Sequence, residues 1–185
     1  MTTLPYSEKQ LSETVRSLVE LTKIKPERRA FIDCCLSLGW DLKVVGEDVL
    51  EFETPFQSAF LVDLFEKDSI AGGFIPLCFL DWNDYESEDK GLRDLFDSNY
   101  AEIVLAAESI VGKPNRKIVE EKPCQKSSIW DFENAFLLIL QGADDIEGID
   151  IRVWIEFKDG TDEIPGAGVF EWLCERHVSK IEKKQ

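Results

Sequence analysis

The chain has 185 residues, 44% of them apolar and 31% charged, with twelve Phe and five Trp; this excludes a disordered tract and lets the chain fold without disulfides or a structural metal. Thirty-seven acidic side chains against 21 basic ones give a formal charge of -16, a field that repels phosphate backbones and anionic lipid, so nucleic-acid and membrane partners are disfavoured. Such charge serves either solubility or the docking of a basic partner, and the count alone does not choose between them.

Ser7 and Gln10 have capping-box spacing, and Leu11, Val15, Leu18 and Thr22 follow at helical intervals, predicting a first helix that runs to about Lys23. After Pro26, the stripe Phe31, Cys34, Cys35 and Leu38 predicts a second helix ending at Gly39, and so an amino-terminal helical hairpin. From Trp40 the period becomes two: Trp40, Leu42 and Val44, a Gly46-Glu47-Asp48 turn, and a return through Leu50 and Phe52 read as a β-hairpin. Two apolar stretches, Phe56 to Phe65 and Ile70 to Leu80, read as further strands, with Gly72, Gly73 and Pro76 marking a bulge or an edge in the second.

A polar loop from Asp81 to Lys90 leads into a helical pattern of Leu92, Leu95, Phe96, Tyr100, Ile103, Ala107 and Ile110, stopped by Gly112 and Pro114 and open to interruption at Asp97-Ser98. Strands are then expected at Lys117 to Glu121, Ile129 to Glu133, Ala135 to Gln141 and Ile149 to Phe157. The last alternates cleanly, with Asp150, Arg152, Trp154, Glu156 and Lys158 on what reads as a wet face. Val169, Trp172, Leu173 and Arg176 predict a closing helix. The expectation is one α+β domain over residues 1–185, a mostly antiparallel sheet with helices packed on one face, and a possible sub-boundary near 112–128.

Catalytic signals are sparse. His177 is the one histidine in the sequence, and Cys174 lies one helical turn before it, but a thiol and imidazole without an orienting group or oxyanion hole do not make a nucleophilic site. No phosphate-binding glycine loop or nucleophile elbow occurs. The segment Asp81 to Asp89 offers oxygen ligands yet departs from the EF-hand pattern, with Tyr85 in the fifth place and Glu86 in that of the turn glycine. No catalytic residue, metal or cofactor is therefore assigned. The five cysteines, Cys34, Cys35, Cys78, Cys124 and Cys174, are odd in number and mostly in apolar settings, which fits core thiols in a reducing compartment. With no apolar run behind a basic start in the first ten residues, and no stretch fit to span a bilayer, a cytoplasmic location is expected.

What the sequence does offer is an acidic surface with interleaved aromatics. Between Asp131 and Glu171 there are eleven acids against Arg152 and Lys158, and a second acidic cluster lies in Asp81 to Asp97. Carboxylates that speed association and aromatics that anchor it are a protein-binding composition. The candidate partner-binding residues are Asp81, Trp82, Asp84, Tyr85, Glu86, Asp144, Asp145, Glu147, Trp154, Asp162 and Glu163. An exposed Trp, with Trp130 and Trp154 the ones in question, would favour binding, whereas four buried ones would leave only the charge.

The run Ala107-Glu108-Ser109-Ile110-Val111-Gly112-Lys113-Pro114 at a helix end, the Trp130 strand, and the strands Ala135 to Leu140 and Ile149 to Ile155 form a layout over about residues 92–158. This layout resembles small bacterial immunity proteins that neutralise polymorphic or contact-delivered toxins. The resemblance implies a cytoplasmic, non-enzymatic inhibitor that caps a cognate, more basic toxin domain, and it carries over no individual contact residue. A second resemblance, in size, charge and element order, is to acidic chaperones of secreted effectors. A carboxylate-dependent hydrolase, needing only two acids at a set separation, is the alternative from another class. Oligomeric state stays open.

Overall fold

The computed structural model describes residues 6–55, 59–66, 68–81, 83–84, 90–120, 125–144, 148–159, 163 and 166–182. Within them the fold is α+β: helices α1 (Glu8–Leu21), α2 (Arg28–Ser37), α3 (Lys90–Val111) and α4 (Val169–Glu182) accompany eight strands. These are β1 (Asp41–Val45), β2 (Val49–Glu53), β3 (Ala59–Glu66), β4 (Ser69–Asp81), β5 (Arg116–Val119), β6 (Lys126–Asp131), β7 (Ala135–Asp144) and β8 (Gly148–Phe157).

The strands form one sheet in the order β1-β2-β3-β4-β8-β7-β6-β5, and every neighbouring pair is antiparallel. The sheet is thus two four-stranded meanders joined where their last strands, β4 and β8, pair. Each meander is preceded by a helix, α2 before β1 and α3 before β5, so the same helix-then-meander unit occurs twice in element order. No sequence repeat announces this.

Local signals account for the helix ends. Gln10 donates its amide to Ser7 Oγ at 3.3 Å while the Ser7 amide donates to Gln10 Oε1 at 2.9 Å, a reciprocal cap for α1. Gly39 and Gly112, just beyond α2 and α3, have φ of 78° and 84°, the left-handed conformation in which a side chain is strained. α3 runs unbroken through Asp97-Ser98, because the Asp97 carboxylate is engaged outside its own helix. It accepts from Gln141 Nε2 at 2.7 Å and pairs with Lys126 at 2.6 Å.

The main core lies between one sheet face and α1, α2 and α3. Leu11, Val15 and Leu18 of α1, Phe31 and Cys35 of α2, and Phe96, Ile103 and Ala107 of α3 are buried against it. Phe31 sits at an aromatic centre, 6.1 Å from the Phe60 ring and 5.9 Å from that of Phe157. The two helices of the amino-terminal hairpin are tied to the sheet through the turn between them and the β3–β4 turn: Arg28 donates to Asp68 O at 2.9 Å and Ile70 to Pro26 O at 2.8 Å.

The second sheet face departs from expectation. Instead of being wet, it carries a smaller core of Ile129, Phe136, Leu138, Leu140 and Trp154 beneath Val169 and Leu173 of α4. Three helices therefore lie on one face, and α4 adds cover on the other. Asp150 and Glu156, which read from the alternation as solvent-facing, are 4% and 0% exposed. Their burial is possible because each carboxylate has a guanidinium. Arg152 Nε donates to Asp150 at 2.7 Å and Arg176 Nε to Glu156 at 2.6 Å.

β4 is a central strand. The proline that suggested a bulge or an edge corresponds to a register shift against β8 between Pro76 and Cys78, with Pro76 exposed, and the glycines adjoin a shift against β3, where Asp63 pairs with Gly72 but Leu64 with Ile70. β6 begins at Lys126, three residues before the expected start at Ile129, because Ser127 and Ser128 are buried strand residues; the Ser128 hydroxyl satisfies itself against Tyr100 at 2.9 Å.

Candidate functional site

The register at the middle of the sheet brings the two acidic stretches together. Gly148, the first residue of β8, is the partner of Asp81 at the end of β4 and of Asp144 at the end of β7. The chain that leaves β4 and the chain that turns from β7 into β8 therefore emerge side by side at one end of the sheet. Asp81 and Asp144, more than 60 residues apart in sequence, thus lie at the same end of the sheet.

Gly148 makes this convergence possible. A Cβ there would lie 2.2 Å from Leu80 O and 2.7 Å from the Phe79 ring, so the close approach of β4 and β8 requires its absence. The Asp81 carboxylate accepts from the Asn83 amide and from Asn83 Nδ2, both at 2.7 Å, an Asx turn at the end of the strand. Asp84 is exposed beyond it, as is Glu163 in the segment after β8. Trp82, Tyr85, Glu86, Asp145, Glu147 and Asp162 lie outside the described residues, as does most of the Asp81 to Asp89 ligand segment.

Trp154 does not serve as an exposed anchor. It is 8% exposed, stacked on Phe74 with ring centroids 5.0 Å apart and an interplanar angle of 8°, and its indole N–H donates to Glu156 Oε2 at 3.1 Å. Trp130 is 2% exposed and donates to Gly112 O at 2.8 Å, joining β6 to the end of α3. Both tryptophans have structural partners for their N–H groups, the usual condition for burying indole.

The acid count of the second half also changes meaning. Asp131 is paired with Lys158, Asp150 with Arg152, and Glu156 and Asp159 with Arg176. These acids are compensated within the fold. The acid count therefore overstates the uncompensated charge on the strand face.

Burial pushes the thiols of Cys34, Cys35 and Cys78 above the usual cysteine range, with neighbouring charge or thiol adding to the effect. The adjacent pair Cys34 and Cys35 is thereby held as thiol, and Cys35 is core, as its place on the apolar stripe suggested. The side chains of Cys174 and His177 lie outside the described set. Among the described residues no group of three or more His, Cys, Asp or Glu is placed to hold a metal ion, and no helix is long and apolar enough to cross a membrane.

One feature of the surface was not anticipated from the sequence: a groove of about 580 Å³ between α1 and α3, with Leu11, Leu95 and Asn99 among its lining residues. The signal that could have pointed to it is Leu105, a large apolar residue that falls off the buried stripe of α3 and is 62% exposed.

No protein-family model matches the chain, and no curated protein matches it in sequence. Among solved structures it is similar to a DUF4309 family protein (YjgB) from Bacillus subtilis. That match has 13% identity and a TM-score of 0.35, covering 68% of this chain and 76% of the other. A likeness that slight carries no argument.

Proposed function

We propose that the protein is a non-enzymatic, acidic binding protein of the immunity type, which neutralises a more basic toxin domain by capping it with the end of the sheet where β4, β7 and β8 meet. The observation that supports this reading is the pairing of both Asp81 and Asp144 with Gly148, which puts the two residues at one end of the sheet. Overall charge of -16 supports it, since a field of one sign steers a basic partner and raises the association rate. Pairing of Asp131, Asp150, Glu156 and Asp159 within the fold supports it too, because those four acids are already compensated.

The test is capture from the source cell's lysate at low salt, with the wild-type chain and an Asp81→Lys/Asp144→Lys variant as parallel baits, followed by association kinetics with whatever is recovered. The expected result is one basic protein with a toxin-like domain, held near one-to-one by the wild type. Its association should slow by about tenfold or more in the variant and with added salt. A partner whose association rate ignores both changes would overturn the capping mechanism.

A further inference from the structure

We infer that the groove between α1 and α3 is a docking site for a basic amphipathic helix of the partner protein. This rests on the protein-binding reading and adds to it a second, chemically distinct contact.

The floor of the groove is apolar, with Leu11 from α1 and Leu95 from α3, and Leu105 stands at its lip with 62% of its surface exposed. Leu105 adjoins the apolar floor instead of standing alone, so the two make one apolar patch on a chain of charge -16. Each wall carries an exposed carboxylate, Glu8 on α1 and Glu102 on α3, and no Lys or Arg is among the described lining residues. An apolar floor between two carboxylates fits a ligand with an apolar stripe flanked by cations. An acidic segment, or a nucleic-acid strand, would meet only repulsion.

The walls also decide the conformation of the ligand. The long wall is α3, whose mid-helix backbone groups are spent within the helix, so no strand can add to it and docking along it must use side chains. On α3 the lining runs from Leu95 to Ser109, roughly 21 Å at the helical rise per residue, which matches about four turns of a third helix laid between the two. The groove adjoins the acidic end: Asn99, which also lines it, has its amide nitrogen 3.5 Å from Sγ of Cys78, three residues before Asp81. A partner engaged at the acidic end thus has the groove within reach of a single further helix.

The probe is a fluorescent peptide of about 14 residues with leucines on one helical face and lysines elsewhere. Its controls are a shuffled peptide of the same composition and a version with glutamate for lysine, each titrated against the full chain. The expected result is saturable binding of the amphipathic basic peptide alone, weakened about tenfold by Glu8→Lys with Glu102→Lys and again by Leu105→Lys. Asp81→Lys with Asp144→Lys should leave it within about threefold, since long-range charge is screened. All three groove residues are exposed, so the variants keep the fold, which circular dichroism checks. Equal binding of the shuffled or glutamate peptide, indifference to the groove variants, or occupation of the groove by a second copy of the chain, seen as self-association that Leu105→Lys abolishes, would each overturn the proposal. Because the peptide needs no cognate partner, loss of the groove site leaves capture through the acidic end standing. Failure to capture a partner while the peptide binds would sink the capping reading alone.

Discussion

Asp81 and Asp144 stand on strands either side of Gly148 and share it as their ladder partner, so one residue without a side chain holds together the two acidic segments. The space a Cβ would need at this position is occupied by the backbone carbonyl of Leu80 at 2.2 Å, which cannot step aside as a flexible side chain can.

Gly148→Ala should therefore force β4 and β8 apart at this end, with a stability cost of about 1–3 kcal/mol, the usual range for overpacking. Chemical denaturation gives the cost. Hydrogen exchange gives the location: amides of Leu80 and Asp81 should lose protection while those near Phe74 keep it. Uniform loss along β4, or no change in stability, would contradict the close approach described here.

The buried pair Glu156 and Arg176 fastens α4 to the second sheet face, with exposures of 0% and 9% for the two side chains. Removing one member of such a pair strands the other in a low-dielectric setting. Arg176→Met should cost about 3–5 kcal/mol, and adding Glu156→Gln should recover a large part of it, because a neutral amide tolerates burial that a lone carboxylate does not. A double variant no more stable than the single one would mean that Glu156 is compensated by something other than Arg176.

What the sequence disclosed follows from how local each signal is. The cap of α1 depends on Ser7 and Gln10 alone, and α3 on a periodic stripe, so both are legible from neighbouring residues. Alternation in β8 correctly marks a strand from Ile149 to Phe157, but it could not reveal that the face bearing Asp150, Trp154 and Glu156 is covered. The covering residue, Arg176, lies 20 positions beyond Glu156 on another element, and a charged residue opposite an apolar one reads as solvent-facing until its partner is found. The acidic end is illegible for a related reason. Asp81 and Asp144 were each nameable as candidates, but their adjacency is a property of strand register, which a composition count does not contain. The same count overstated the exposed acid, since it could not see which carboxylates Lys158, Arg152 and Arg176 pair with.

α4 is also seated by shape. A Cβ on Gly142 of β7 would come within 2.2 Å of the Phe170 ring, so the ring lies directly on the bare backbone of the strand. Gly142→Ala should lift Phe170 and cost about 1–3 kcal/mol, and pairing it with Phe170→Leu should restore part of the loss by giving back the volume. Thermal unfolding of the four-member cycle measures the coupling. Additive effects would show that the two residues do not meet.

Tyr100 supplies a pH signature of the packing between α3 and β6. Burial pushes its phenol up to about 12 from the usual 10, opposed in part by the hydrogen bond with Ser128. A raised pKa in the folded state means that the unfolded chain gives up this proton first. The contribution to stability is therefore whole below pH 10 and is lost as pH rises through about 12. Ultraviolet titration of the native protein should show one tyrosine ionising late relative to the denatured chain, and Tyr100→Phe should delete that late step. The same variant should flatten the fall in stability across this interval, measured against wild type by denaturant unfolding at each pH. An unchanged slope in Tyr100→Phe would place the alkaline sensitivity on another group and would argue that the phenol is open to solvent.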